Sequence, residues 1–108
     1  MAYDRGLVER VAAAFEAMGH AHARQKNVFS GLGFMLGKSA AVIVWHDSLL
    51  VKTTPAEYAA ALGEPGVTPF APGGDRPMGT WVVVPPDAVA DDPDLSAWIA
   101  RGVRALGR

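Results

Sequence analysis

The stretch that decides the fold is KNVFSGLGFMLG, Lys26–Gly37. Three glycines and a serine stand among large apolar residues, so it reads either as a phosphate-cradling loop or as the first hairpin of a sheet. Gly31, Gly33 and Gly37 give G-x-G-x-x-x-G, which misses the dinucleotide spacing G-x-G-x-x-G by one position. That fingerprint must also follow a strand and open a helix, whereas strand-like runs lie on both sides here. The pattern G-x-x-x-x-G-K-[ST] fails too, because Leu32 stands five positions before Gly37. A hairpin explains the stretch better, with glycine supplying positive φ or a bulge. On this reading Phe29 and Phe34 are largely buried, and the Gly31–Gly33 backbone joins two antiparallel strands.

Outward from there, His20–Thr53 breaks into short runs, HARQKNVF, GFML, AAVIVW and SLLVKT. Ser30–Gly31, Gly37–Lys38 and His46–Asp47 mark the turns between them. Such tight spacing permits only antiparallel neighbours, since a parallel pair needs a long crossover. Upstream, Leu7, Val8, Val11, Ala14, Phe15 and Met18 recur at helical spacing. They predict a helix over about Asp4–Met18, capped by Asp4, stapled by Tyr3 and Val8, and stopped at Gly19. Downstream, TPAE places Thr54 as N-cap, Pro55 at the first helical position and Glu57 at the third, a capping box. That helix ends at Gly63. VTPF suits a short edge strand because Pro69 cannot donate to a ladder. APGGDRPMG is the longest irregular stretch, and TWVVV is a strand ended by Pro85–Pro86. The last helix starts near Asp92, with Asp91 and Asp92 offering a cap and Leu95, Trp98, Ile99, Val103 and Leu106 as its apolar stripe. Trp45, Trp81 and Trp98 all read as core.

The expected fold is therefore α+β: an antiparallel meander of about five strands and three helices in the order α-β-β-β-β-α-β-α, with the helices on one face. The 108 residues suit one domain spanning 1–108. Half the residues are hydrophobic, enough for one core without a staple. The chain contains no cysteine, which excludes disulfides, thiolate metal sites and thiol catalysis. The net charge of −1 lacks the basic excess of most nucleic-acid binders. The charged N-terminus carries no signal-type apolar core, and SAAVIVW is too short to span a bilayer. A cytoplasmic protein without membrane contact is the expectation.

Candidate sites are few. His20 and His22, in an extended segment, would place two imidazoles on one face, but no third ligand is assigned and no tight metal site is expected. Asp91, Asp92 and Asp94 lack the spacing of a calcium loop and fit helix capping. None of the serines lies in G-x-S-x-G. Arg24, Lys26 and Lys38 form a candidate basic surface beside Phe29 and Trp45, although lysines guarding a sheet edge explain them as readily.

Taken together, MAYDRGLVERVAAAF, VFSGLGFMLG, LLVKT and RPMGTWVVVPPDAVADDPDLSAWI resemble the TfoX N-terminal domain family. The family motif is Met-Phe-Gly-Gly followed by Gly-Phe/Leu-Met. Phe29, Gly31, Gly33 and Phe34 match it, while Val28 replaces the Met and Ser30 the first Gly. The resemblance implies a fold similar to secretion chaperones. It also implies, in full-length relatives, a role in competence through a transcription factor and a helical C-terminal domain, for which no counterpart precedes Arg108. The expected function is a non-enzymatic regulatory or protein-interaction domain with no cofactor, an unidentified protein partner and a homodimer as one arrangement. Two alternatives stand beside it. One is a small-ligand or metal binder at the His20/His22 face or the Gly73–Gly74 loop. The other is direct nucleic-acid binding, expected to be no more than weak and nonspecific.

Overall fold

The computed structural model describes residues 3–108. Helix α1 (Arg5–Ala17) is capped by Asp4, whose side chain accepts from the Leu7 amide, and the chain leaves it through Gly19 at φ 85°. Strands β1 (Arg24–Val28), β2 (Gly31–Leu36), β3 (Ser39–Trp45) and β4 (Ser48–Lys52) follow as three consecutive hairpins. Helix α2 (Pro55–Leu62) comes next, then β5 (Thr68–Pro69) and β6 (Trp81–Val84). A 3-10 turn (Pro86–Val89) leads into α3 (Asp92–Ala105). All strands join one antiparallel sheet in the order β1-β2-β3-β4-β6-β5, so β6 inserts between β4 and the edge pair of residues in β5. The sheet thus has six strands where about five were expected, the addition being the short Pro69 edge. No helix among the described residues is long and apolar enough to cross a membrane.

The sheet has two apolar faces, which is why β3 reads as a continuous apolar run and not as an alternation. Phe34, Val42, Val44, Leu49, Val51, Val82 and Val84 point toward the helices. There they meet Leu7, Val11 and Phe15 of α1 and Leu95, Trp98, Ile99 and Val103 of α3. Phe15 stacks on Phe34 with centroids 5.4 Å apart. Between Phe34 and Met35 the β2–β3 register shifts, so that Ala41 is an extra residue on β3. This bulge tightens the local twist, and α3 crosses over it at the buried Gly102.

Ion pairs tie the helices to one another. Thr54 Oγ1 accepts from the Glu57 amide at 3.1 Å and so caps α2. The Glu57 carboxylate does not return to the cap amide as a capping box would have it. It takes Arg104 Nη2 at 2.8 Å and Nε at 3.1 Å instead, and the Thr54 hydroxyl donates to it at 3.5 Å. The bond from Arg104 holds the Glu57 carboxyl below its usual range, and the same bond raises Arg104. At the other end of the helix layer, Arg10 donates to Val89 O, Ala90 O and Asp92 Oδ1. Asp91 occupies the α3 N-cap position without a side-chain capping bond.

Candidate functional site

The β1–β2 turn is Phe29–Ser30, one residue earlier than the glycines suggested. Gly31 and Gly33 lie inside β2, where an added Cβ at Gly31 would meet Ile43 Cγ2 at 2.9 Å. Their service is close packing, not turning. Phe29 and Ser30 instead take φ 52° and 65°. Two left-handed residues between paired strands make a type I′ turn, the position that Asn-Gly usually fills. For residues with a Cβ this conformation costs roughly 1–2 kcal/mol each. Phe29 is also 47% exposed, contrary to the expectation that it would be buried. The hairpin tip carries its ring beyond the core.

Phe29 belongs to an aromatic surface on the sheet face turned away from the helices. At its centre lies Phe70, a loop residue only 2% exposed, seated on Ile43 and Leu50. Backbone bonds from the Phe70 amide to Trp81 O at 3.0 Å and from the Met78 amide to Phe70 O at 2.8 Å hold it there. Phe29 and Trp45 stand edge-on to Phe70, with centroids at 5.7 and 5.5 Å. Edge-to-face geometry is the preferred one for such rings. Val28, Ala40, Met78, Trp81 and Val83 border the cluster, each half-buried. Trp45 and Trp81 therefore belong to this outer face, and only Trp98 is core, with Arg101 stacked 4.4 Å from its ring.

A basic corner adjoins the aromatics. Register pairs Arg24 with Met35, Lys26 with Gly33 and Val28 with Gly31, so all three β1 residues share the outer face. Arg24 Nη2 donates to Gly37 O at 3.1 Å, next to Lys38. Arg108 Nη2 also reaches the Gly37 turn, so a C-terminal arginine joins this corner. Arg24, Lys26, Lys38 and Arg108 have no ion-pair partner among the described residues.

The histidines do not form an extended pair. The Ala23 amide donates to His20 O at 3.0 Å, closing a turn through Ala21–His22. The two rings lie 5.7 Å apart, and His20 packs edge-on against Phe15 at 6.4 Å. Among the described residues no three His, Cys, Asp or Glu side chains are grouped to hold a metal. Gly73–Gly74 lies on an exposed turn closed by the Gly74 amide and Ala71 O. A hollow of about 310 Å³ runs between α1 and α3 and is lined by Ala13, Ala14, Ala17 and Leu95 with the Arg10–Asp92 pair.

The family model of the TfoX N-terminal domain matches residues 14–106. The chain belongs to the TfoX N-terminal domain family. No curated protein and no solved structure gives a significant match to it. In this TfoX domain the family motif maps onto the strained hairpin. Ser30 occupies the motif's first glycine position, and its φ of 65° explains why glycine suits that place. Gly31 and Gly33 let β2 lie close to Ile43 and Val28, and Phe34 enters the core against Phe15.

Proposed function

We propose that this TfoX domain is a non-enzymatic regulatory module that docks a protein partner on the outer face of its sheet. The partner presents an apolar side chain to the Phe29–Phe70–Trp45 cluster and carboxylates to Arg24 and Lys26. The observation that carries the reading is Phe29, a large apolar residue 47% exposed and held at φ 52°. Strain of this kind persists at ligand clamps and recognition sites, where the surrounding fold over-determines it. Arg24 and Lys26, without an ion-pair partner among the described residues, supply the charge complementarity that steers a partner. Residence in the cytoplasm fits a chain free of cysteine.

The test is p-benzoylphenylalanine in place of Phe29, photolysed in cells and compared with the same probe at the exposed Ala13 of α1. The expected result is one defined protein adduct from position 29 and none from position 13. Co-expressed wild-type domain without the probe should suppress it, and the co-expressed Phe29→Ser variant should not. Adducts confined to nucleic acid, or none at position 29, refute the proposal. An adduct with a second copy of the chain replaces the partner by a homodimer.

One observation favours a second reading, direct nucleic-acid binding. Arg108 raises the cations at the Gly37 corner to four with Arg24, Lys26 and Lys38. Four phosphate contacts give a log–log salt slope of about −3.6, hence weak binding at physiological salt.

A further inference from the structure

We infer that β1 is the acceptor for an extended acidic segment of the protein partner, which joins the sheet as an added strand beside it. The inference rests on the docking reading above and specifies its geometry. The sheet order leaves two edges, β1 and β5. Strand β5 has two residues, one of them Pro69, and that edge is closed to further pairing. Strand β1 has five residues, RQKNV, without proline. Val28 and Gly31 flank the two-residue turn and so form a hydrogen-bonded pair. Alternation then assigns Lys26 and Arg24 to β2 and turns the N–H and C=O groups of Gln25 and Asn27 outward. Those outward groups have no backbone partner among the described residues. They make a ladder of alternating donors and acceptors, which another peptide strand completes.

Side chains select the occupant. A strand laid along β1 sets alternate residues opposite Val28, Lys26 and Arg24, within about 5 Å between Cβ atoms. Carboxylates opposite Lys26 and Arg24 meet cations that lack an ion-pair partner among the described residues, with Lys38 and Arg108 close behind. An apolar residue opposite Val28 lands beside Phe29 and its neighbours. A second copy fits less well, because the antiparallel register of β1 on β1 with full overlap sets Lys26 against Lys26, and like charges directly opposite destabilise. A nucleic acid uses the cations but leaves the peptide ladder unfilled.

The probe is a short synthetic peptide in which glutamate alternates with threonine after an N-terminal phenylalanine, titrated into the isotope-labelled domain. Excess peptide should slow hydrogen exchange at the Gln25 and Asn27 amides several-fold, and the same peptide with lysine for glutamate should not. Asn27→Pro removes one outward N–H while sparing the β1–β2 bonds, and should weaken binding about fivefold, the worth of one net hydrogen bond. Methylating the peptide's own amides tests the ladder without altering the protein, and should abolish the protection. Lys26→Glu should weaken the glutamate peptide and strengthen the lysine one. Peptide shifts around Phe29 and Trp81 with unchanged exchange at Gln25 and Asn27 overturn strand addition while leaving outer-face docking intact. No shift at millimolar peptide overturns it as well. Displacement of the peptide by oligothymidine replaces it with nucleic-acid binding and removes the docking reading too. Protection of β1 without peptide, rising with protein concentration, assigns the edge to a second copy.

Discussion

Gly102→Ala sets two physical effects against each other, and the fold decides the sign. In an ordinary helix interior, glycine to alanine stabilises by about 1 kcal/mol. Gly102 is buried in α3 over the Ala41 bulge, and a Cβ built there collides with the Ala41 carbonyl oxygen and stands 3.1 Å from Val42 Cγ1. The obstacle is backbone in a sheet, not the tip of a flexible side chain. Relief therefore requires α3 to lift, which loosens Leu95, Trp98, Ile99 and Val103 against the strands. Overpacking of this kind costs about 1–3 kcal/mol, and here it falls at the upper end. Subtracting the propensity gain leaves a net loss of about 1–2 kcal/mol. For 108 residues the unfolding entropy is about 0.23 kcal/mol/K, so Tm should fall by about 4–9 °C. Urea unfolding followed by tryptophan fluorescence measures the same loss. Ala97→Gly on the exposed side of α3 is the control and should cost about 1 kcal/mol. A Gly102→Ala variant more stable than the parent would refute the close approach of α3 to the bulge.

Three further outcomes are expected. Thr54→Ala should cost about 1 kcal/mol in urea, because the Glu57 amide loses its acceptor. Glu57→Gln should cost at most about 1 kcal/mol at pH 7, since the pair with Arg104 is partly exposed. The folded Glu57 carboxyl lies below its unfolded value of 4.5, so its contribution is present above that pH and is lost as pH falls through the folded value. The wild-type advantage over Glu57→Gln should therefore shrink in acid, and an advantage growing toward low pH would contradict the assignment. Ser30→Gly should raise stability by about 0.5 kcal/mol, as relief of the left-handed strain exceeds the extra unfolded-state entropy of glycine. A lower urea midpoint for that variant would argue against the type I′ turn.

The helices were legible because their signals are local. Asp4, the Thr54-Pro55-Glu57 run and Gly19 act within a turn of where they stand, and the structure uses Asp4 and Thr54 as caps. The turns at Gly37–Lys38 and His46–Asp47 were legible for the same reason. Phe29–Ser30 was not, because neither residue is a usual left-handed former and the adjacent glycines drew the turn toward themselves. Only the paired strands reveal that Gly31 and Gly33 are needed for closeness to Ile43 and Val28. The outer aromatic surface was hidden for a different reason. Phe70 comes from an irregular loop whose path depends on bonds to Trp81 and Met78, and nothing in APGGDRPMG announces that fold-back. His20 was misplaced because a turn closed by the Ala23 amide looks, in sequence, like the start of a strand.

The order in which the helices arrive shapes how the sheet is completed during synthesis. Helix α1 precedes the strands, so Phe15 can cover Phe34 as soon as the first hairpin forms. Val42, Val44, Leu49 and Val51 also await α3, whose Gly102 meets Ala41 from about 60 residues downstream. At roughly 5–20 residues per second, the ribosome takes about 3–12 s to cover that interval. Over that time a nascent meander, complete as far as Lys52, presents a half-covered valine and leucine surface, the kind of surface that chaperones hold and proteases find. A translational pause between Lys52 and Asp92 would prolong the interval in which that surface stays half-covered.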